Sequence, residues 1–387
     1  MNYKIFIFNM NKINILGRAL KLTTTEKLML DSVKEFVNVE LKPHIKKSNP
    51  QKIFKQFGEM GLLGPTIHGY NCLGTTNKMY GLIAKEIEYL DSGFRSMYSV
   101  QSSLVMNPIH KYGDTRLKEK YLTKLNSGEN IGCFGLTEPD SGSDASTMKT
   151  RALDDGDYYI LNGCKTWITN SPIANVFVVW AKLNGEVRGF VLDRSMPGIE
   201  TPRIKDKMSL KLSTTGMIFL SDVRVPKKNM LNIKGMKGPF SCLNSARLGI
   251  SFGVLGAAES CLETAIDYAL NRNLFNSLLA EKQIFQYKLA NAVSEYNIGL
   301  ITALNVADMI DSNDYIPEMI SLVKRNNCSK ALDIARVTRD MLGGNGISRE
   351  YPIFRHLINL ETVNTYEGTH DIHSLILGNY LTDKKAF

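Results

Sequence analysis

Cys133-Phe134-Gly135-Leu136-Thr137-Glu138-Pro139-Asp140-Ser141-Gly142-Ser143-Asp144 is where the chain changes character. Upstream, apolar residues recur at helical spacing. Thr23 and Glu26 stand at capping-box separation, and Met29, Val33 and Phe36 carry the period on toward Pro43. Further helices are expected over 53–60, 80–90, 99–112 and 114–125, separated by turns that hold Gly or Pro. Downstream come short β-rich runs at 158–161, 174–183, 189–193 and 216–225. Their turns are expected at Asp155-Gly156-Asp157, Asn162-Gly163 and Asn184-Gly185. A Lys- and Gly-rich connection over 226–239 leads out of them. From Ser245 the helical period returns: Leu255, Ala258, Leu262, Ala265 and Ala269 form a stripe rich in small residues. Ala331, Ile334, Thr338 and Met341 form a second, closing at Gly343-Gly344. The fold class expected is α+β and multi-domain: an N-terminal helical domain over 1–132, a compact β domain of two small, barrel-like sheets over 133–234, and a C-terminal four-helix bundle over 235–387.

At 387 residues the chain exceeds one small core. Hydrophobic content of 43% and charged content of 22% are those of an ordinary globular protein, and no apolar run is long enough to span a bilayer. A net charge of +9 suits a polyanionic partner. The basic residues are dispersed and no zinc-finger, helix-turn-helix or RNA-binding signature is present, so a phosphorylated cofactor is favoured over nucleic acid. The 6 cysteines include no CxxC pair, which points to reduced thiols inside a cell and away from disulfides or a metal site. Residues 1–21 hold Lys4, Lys12, Arg18 and Lys21 and no acid; a transit peptide and a plain basic N-terminus both fit.

Three stretches carry chemistry. The 133–144 run is rich in hydroxyls and backbone donors and can bond the edge of a planar heteroaromatic ring, or can simply be a turn. Thr166-Trp167-Ile168-Thr169-Asn170 offers an aromatic face, and on a strand Trp167 and Thr169 point the same way; inter-strand packing is the other reading of Trp167. In Asn364-Thr365-Tyr366-Glu367-Gly368-Thr369-His370-Asp371, Gly368 permits a sharp turn and Thr369 reads as the N-cap of a last helix, with Asp371 in its first turn. A carboxylate beneath apolar flanks has its pKa raised by desolvation, which a general base near neutral pH requires. The competing reading of Glu367 is a solvated turn residue.

Taken together with Asp91-Ser92-Gly93-Phe94-Arg95-Ser96, Arg247–Gly256 and Asp340–Ile347, these stretches resemble the acyl-CoA dehydrogenase family, and within it the branch acting on glutaryl-CoA, from about Thr23 to Phe387. The resemblance implies FAD-dependent oxidative decarboxylation of glutaryl-CoA to crotonyl-CoA and CO2, as in lysine and tryptophan breakdown. It makes Glu367 the base that removes the α-proton of the thioester. It places Phe134, Leu136, Thr137, Ser143, Trp167, Ile168 and Thr169 around the flavin, and Thr369, His370 and Asp371 against the cofactor. Arg272, Phe275, Gln283, Asp340, Met341, Leu342, Gly343 and Gly344 would reach the FAD of a neighbouring subunit, in a homotetramer. Substrate contacts fall on Glu88, Arg95, Ser96, Ser143, Phe240, Leu243, Asn244, Arg247, Tyr366 and Gly368. A buried Arg95 is costly unless it meets an anion, and the terminal carboxylate of a dicarboxylic acyl-CoA supplies one. Glu88, seven residues earlier and two helical turns back, is expected to orient it; pairing of a surface Arg95 with Asp91 is the other reading. An electron-transferring flavoprotein is the implied acceptor. The implied setting is intracellular, cytoplasmic in a bacterium or mitochondrial matrix in a eukaryote. Asn276-Ser277-Leu278 departs from the family's Gly-x-Pro after Phe275. Two further readings are a short- or branched-chain acyl-CoA dehydrogenase that does not decarboxylate, and a helical scaffold that has lost its flavin.

Overall fold

The computed structural model describes residues 12–386. The expectation of a basic leader over 1–21 lies partly outside them, Lys4 included. In chain order the elements are α1 (Thr24–Phe36), α2 (Pro50–Glu59), α3 (Asn77–Leu90), α4 (Ser92–Ser99), α5 (Asn107–Tyr112) and α6 (Thr115–Asn126). Then come β1 (Gly132–Gly135), β2 (Arg151–Asp155), β3 (Tyr158–Thr169), β4 (Val176–Leu183), β5 (Glu186–Asp193), β6 (Ile199–Glu200), β7 (Thr215–Pro226) and β8 (Met230–Lys234). The chain ends with α7 (Lys237–Asn271), the short pair β9 (Asn273–Leu274) and β10 (Ser277–Leu278), and α8 (Gln283–Asp311), α9 (Pro317–Met341), α10 (Ile353–Thr365) and α11 (His370–Thr382). Packing groups the described residues into two compact units: 12–38 with 77–95 and 247–386, and 39–76 with 96–246.

The first unit is helical. Its α1 begins on the expected capping box, Thr23 accepting from Glu26 N–H while the Glu26 carboxylate accepts from Thr23 N–H. The helix expected at 80 starts earlier, at Asn77. The Asp311 carboxylate at the end of α8 accepts from Asn77 N–H at 2.8 Å and Lys78 N–H at 3.2 Å, a cap from a distant part of the chain that local sequence does not reveal. Both small-residue stripes are buried, Leu255 to Ala269 on α7 and Ala331 to Met341 on α9. Small residues let helices approach: a Cβ on Gly256 would lie 1.9 Å from the Lys85 carbonyl oxygen, so α3 lies directly on α7.

The second unit holds the sheet, in the order β6-β7-β3-β2-β4-β5-β8, with β1 parallel to β4. Where the sequence suggested two small sheets, the strands form one hydrogen-bonded path. The reason is that β3 and β7 are each twelve residues long and stay paired through two bulges. One bulge is at Asn162-Gly163, which is not the expected turn: a Cβ there would meet Thr150 Oγ1 at 2.4 Å, so glycine serves a close approach inside a strand. The turns at Gly156 and at Asn184-Gly185 form as expected. The connection over 226–239 contains β8, which pairs with β5, and α7 starts at Lys237 and not at 245. The helix expected over 99–112 extends back to Ser92 and passes through a π-helical run at Val100–Met106.

Candidate active site

In the first unit, Arg95 is completely buried on α4. Its Nε donates to Glu88 Oε2 at 2.5 Å and its Nη2 donates to the Tyr366 hydroxyl. Nη1 is buried and unpartnered, as is Glu88 Oε1. The pair meets by a different route from the one expected. Glu88 and Arg95 do not share a helix: α3 stops at Leu90 and α4 begins at Ser92, with Asp91 between them. Asp91 does not pair with Arg95; its carboxylate takes Arg355 Nε at 3.0 Å, Asn359 Nδ2 at 3.0 Å and Gly93 N–H at 2.7 Å. Burial alone would push the Arg95 guanidinium down, but Glu88 and Tyr366 hold it above the ordinary arginine value, so it stays a cation.

Room for this pair comes from Gly253, which sequence reasoning missed. A Cβ there would stand 2.2 Å from Glu88 Oε2 and 3.1 Å from Arg95 Nε. Inside a helix Ala normally stabilises relative to Gly by about 1 kcal/mol. Gly253→Ala is expected to reverse that sign and lower unfolding stability by about 1–2 kcal/mol, because two sealed ionic side chains cannot move aside freely. A rise in the denaturant midpoint would contradict this packing.

Glu367 occupies the turn between α10 and α11. It has φ +53° and Gly368 has φ +98°, so two successive residues are left-handed. For a non-glycine residue this costs ~1–3 kcal/mol and persists only where surroundings impose it. Here they do. Arg247 Nε donates to the Glu367 carbonyl at 2.7 Å, and Lys324 Nζ donates to the carbonyls of Tyr366 at 3.0 Å and Gly368 at 2.7 Å. Thr369 caps α11 as expected, accepting from Ile372 N–H at 3.1 Å. Glu367 itself is half-buried, with Oε2 sealed from solvent and unpartnered. Burial raises its pKa, against the lowering pull of Arg95, Arg247 and Lys324. The solvated reading of Glu367 does not hold for Oε2. His373 lies buried beneath Gly368; burial, with Arg247 and Lys324 nearby, lowers its pKa to about 3, so it is neutral. Lys324 left a signal in the sequence: it stands in register with Ile320, Cys328 and Ala331 on the buried stripe of α9, a charge where an apolar residue is due.

In the second unit, β1 leads into the loop after Gly135. Phe134 and Leu136 are buried, while Thr137 is half-buried and Ser143 is exposed. The loop is anchored by Glu138, whose carboxylate accepts from Lys165 Nζ at 2.8 Å, Thr150 N–H at 3.0 Å and Lys149 N–H at 2.6 Å. Burial pushes the Glu138 carboxyl up, but these donors outweigh it and hold it below its ordinary value. On β3 the register slips between Lys165 and Ile168, so Thr166 and Trp167 together oppose one residue of β7. The alternation that aligned Trp167 with Thr169 does not run through this bulge. Trp167 has φ +59° and is 61% exposed, whereas Ile168 is buried and Thr169 half-buried. A strained, solvent-facing indole beside a donor-rich loop can offer its face to a flat ring. Ser96 and Leu243 are buried in this unit, Asn244 is half-buried, and Phe240 is 45% exposed on the first turns of α7.

The remaining sequence candidates lie elsewhere in the first unit, and no described bond ties them to Glu367. Arg272, Phe275 and Gln283 are exposed around β9 and β10, with Phe275 88% exposed. Phe275 and Asn276 both have positive φ, at +49° and +60°, in the two-residue turn that Ser277↔Leu274 pairing closes. Asn276 thus fits the turn despite its departure from the family pattern. Asp340 pairs with Lys288 at 2.6 Å. Met341 and Leu342 are buried, while Asp340, Gly343 and Gly344 are exposed. His370 and Asp371 form the first turn of α11.

Family models match three consecutive stretches: acyl-CoA dehydrogenase N-terminal domain at residues 23–129, middle domain at 133–223, and C-terminal domain at 234–381. The chain belongs to the acyl-CoA dehydrogenase family. Among curated members, it is 30% identical over 383 residues to the mitochondrial short-chain specific acyl-CoA dehydrogenase of Mus musculus, covering 96% of this chain and 93% of that one. Among solved structures, a glutaryl-CoA dehydrogenase from Mycobacterium smegmatis in complex with FADH2 is 44% identical with TM-score 0.93, over 95% of this chain and 96% of that one. A glutaryl-CoA dehydrogenase in complex with glutaryl-CoA is 30% identical with TM-score 0.89, over 95% and 97%. The acyl-CoA dehydrogenase cofactor is FAD, and the Trp167 bulge with the Thr137–Ser143 loop fits its ring system.

Proposed function

We propose that this acyl-CoA dehydrogenase oxidises and decarboxylates glutaryl-CoA to crotonyl-CoA and CO2. The observation that carries the reading is the buried Arg95, with Glu88 on one edge, Tyr366 on another and Nη1 unpartnered. A neutral acyl tail leaves that donor unmet in an apolar site, whereas a terminal carboxylate satisfies it. Overall identity alone does not fix the substrate: one glutaryl enzyme is 44% identical to this chain, but another is at 30%, level with the short-chain enzyme, so the reading rests on the site.

The chemistry assigned to the chain's own residues starts with Glu367. It removes the α-proton, and its elevated pKa is what that step requires near neutral pH. The enolate charge is stabilised by donors aimed at the thioester oxygen, among them the N–H of Glu367. Bound FAD supplies the hydride acceptor. Ser96, Ser143, Phe240, Leu243, Asn244, Arg247, Tyr366 and Gly368 contact substrate in this reading. Phe134, Leu136, Thr137, Trp167, Ile168 and Thr169 surround the ring. The product of oxidation is glutaconyl-CoA; loss of its terminal carboxyl as CO2 leaves a dienolate, which the protonated Glu367 quenches. The exposed Phe275, held left-handed with Arg272 and Gln283 nearby, supports a role toward a second subunit's cofactor and hence a homotetramer. An electron-transferring flavoprotein is the acceptor in this reading. Among the described residues no helix is long and apolar enough to cross a membrane.

The test compares glutaryl-CoA with its neutral amide isostere, glutaramyl-CoA, in steady state. The expected kcat/KM ratio is at least about 10²-fold in favour of the acid. A ratio near one, with turnover of butyryl-CoA and no CO2 from glutaryl-CoA, would favour the short-chain reading that the mouse relative supports.

A further inference from the structure

We propose that Lys324 is a positioning residue for Glu367: its buried ammonium grips the carbonyls on both sides of the base and fixes the direction of the carboxylate. The inference rests on Glu367 being the base. Lys324 is wholly inaccessible on α9, and its described hydrogen bonds go to backbone, 3.0 Å to the Tyr366 oxygen and 2.7 Å to the Gly368 oxygen. Burying an ammonium for two carbonyls is a costly way to hold a turn, and a purely structural turn would not need a charge. The turn it holds is one that Glu367 would not adopt unaided, because φ of +53° is unfavourable for any residue with a Cβ. Arg247 grips the middle carbonyl from α7, so all three carbonyls of Tyr366-Glu367-Gly368 end on cations from two helices. The next residue on α9 adds a second tie: Arg325 Nε donates to Ser374 Oγ on α11 at 2.6 Å. Carbonyls that accept from cations also polarise the intervening amides, which makes the Glu367 N–H a better donor.

The charge has a second effect at this distance. The groups facing Glu367 are Arg95 from α4, Arg247 from α7, Lys324 and Cys328 from α9, His373 from α11 and Tyr366 of its own turn. Of these only Arg95, Arg247 and Lys324 are cations that stabilise the carboxylate, so losing one moves the base toward higher pKa.

The experiment is rapid mixing of the FAD-loaded Lys324→Met and Lys324→Gln proteins with acyl-CoA, following flavin bleaching as a function of pH. Flavin content, unfolding temperature and affinity for the unreacted thioester are measured alongside. For Lys324→Met the expected rate loss is about 30- to 100-fold, with binding changed by less than about threefold, because a base displaced by a fraction of an ångström reacts poorly. The midpoint of the acid limb is expected to move upward. Lys324→Gln, which keeps a donor without the charge, should recover part of the rate but not the midpoint. A wild-type rate and midpoint in either folded variant overturns the proposal. So does loss of flavin, binding or folding in both variants without a moved pH profile, which would give Lys324 to the fold alone. Glu367→Gln is run beside them: if that variant bleaches normally, the base assignment itself has failed and the Lys324 result has no bearing on catalysis.

Discussion

Arg95→Met is expected to lower kcat/KM for glutaryl-CoA by about 10³-fold, or ~4 kcal/mol, while butyryl-CoA turnover falls by less than about tenfold. The asymmetry follows from where the charge sits. The guanidinium is sealed between Glu88 and Tyr366 with one nitrogen unpartnered, so its removal takes away the buried cation assigned to the anionic tail, while Glu367 stays in place as the base and loses one of the three cations that lower its pKa. The substitution also strands Glu88 as a buried carboxylate, which is expected to destabilise the fold by about 3–5 kcal/mol. Adding Glu88→Gln separates the two effects: the double variant should regain stability but not activity on glutaryl-CoA. Equal losses on both substrates, measured in folded protein, would remove Arg95 from substrate recognition.

Glu367→Gln is expected to slow flavin bleaching by about 10³- to 10⁴-fold while still binding substrate, since an amide keeps the shape but cannot take a proton. The pH dependence has a definite sign. Burial raises the Glu367 pKa, and the base is active only when ionised, so the bleaching rate rises with pH through that elevated value and falls below it. An acid limb at or under the ordinary glutamate value would contradict the burial of Oε2.

Much of this was legible because local rules and long-range packing agree. The Thr23 capping box, the Thr369 N-cap and the small-residue stripes of α7 and α9 are local patterns whose physical causes act over a few residues. What escaped depends on distant partners. The start of α3 is set by Asp311, β8 exists because β5 lies beside it, and Gly163 is a bulge because Thr150 crowds it. At the site, Glu367 and Arg95 were readable as chemistry, but not their geometry. The helix break at Asp91, the space left by Gly253 and the grip of Lys324 arise from three separate segments. Trp167 shows the same limit: its strand was evident, but the bulge that reorients it was not.

The most direct measurement is a single turnover of the FAD-loaded protein with glutaryl-CoA carrying an isotopic label in the terminal carboxyl, recording flavin absorbance and released CO2 in one experiment. One labelled CO2 per flavin reduced, with crotonyl-CoA as product, is the expected result. Full flavin reduction with the label retained on the acyl chain would contradict it.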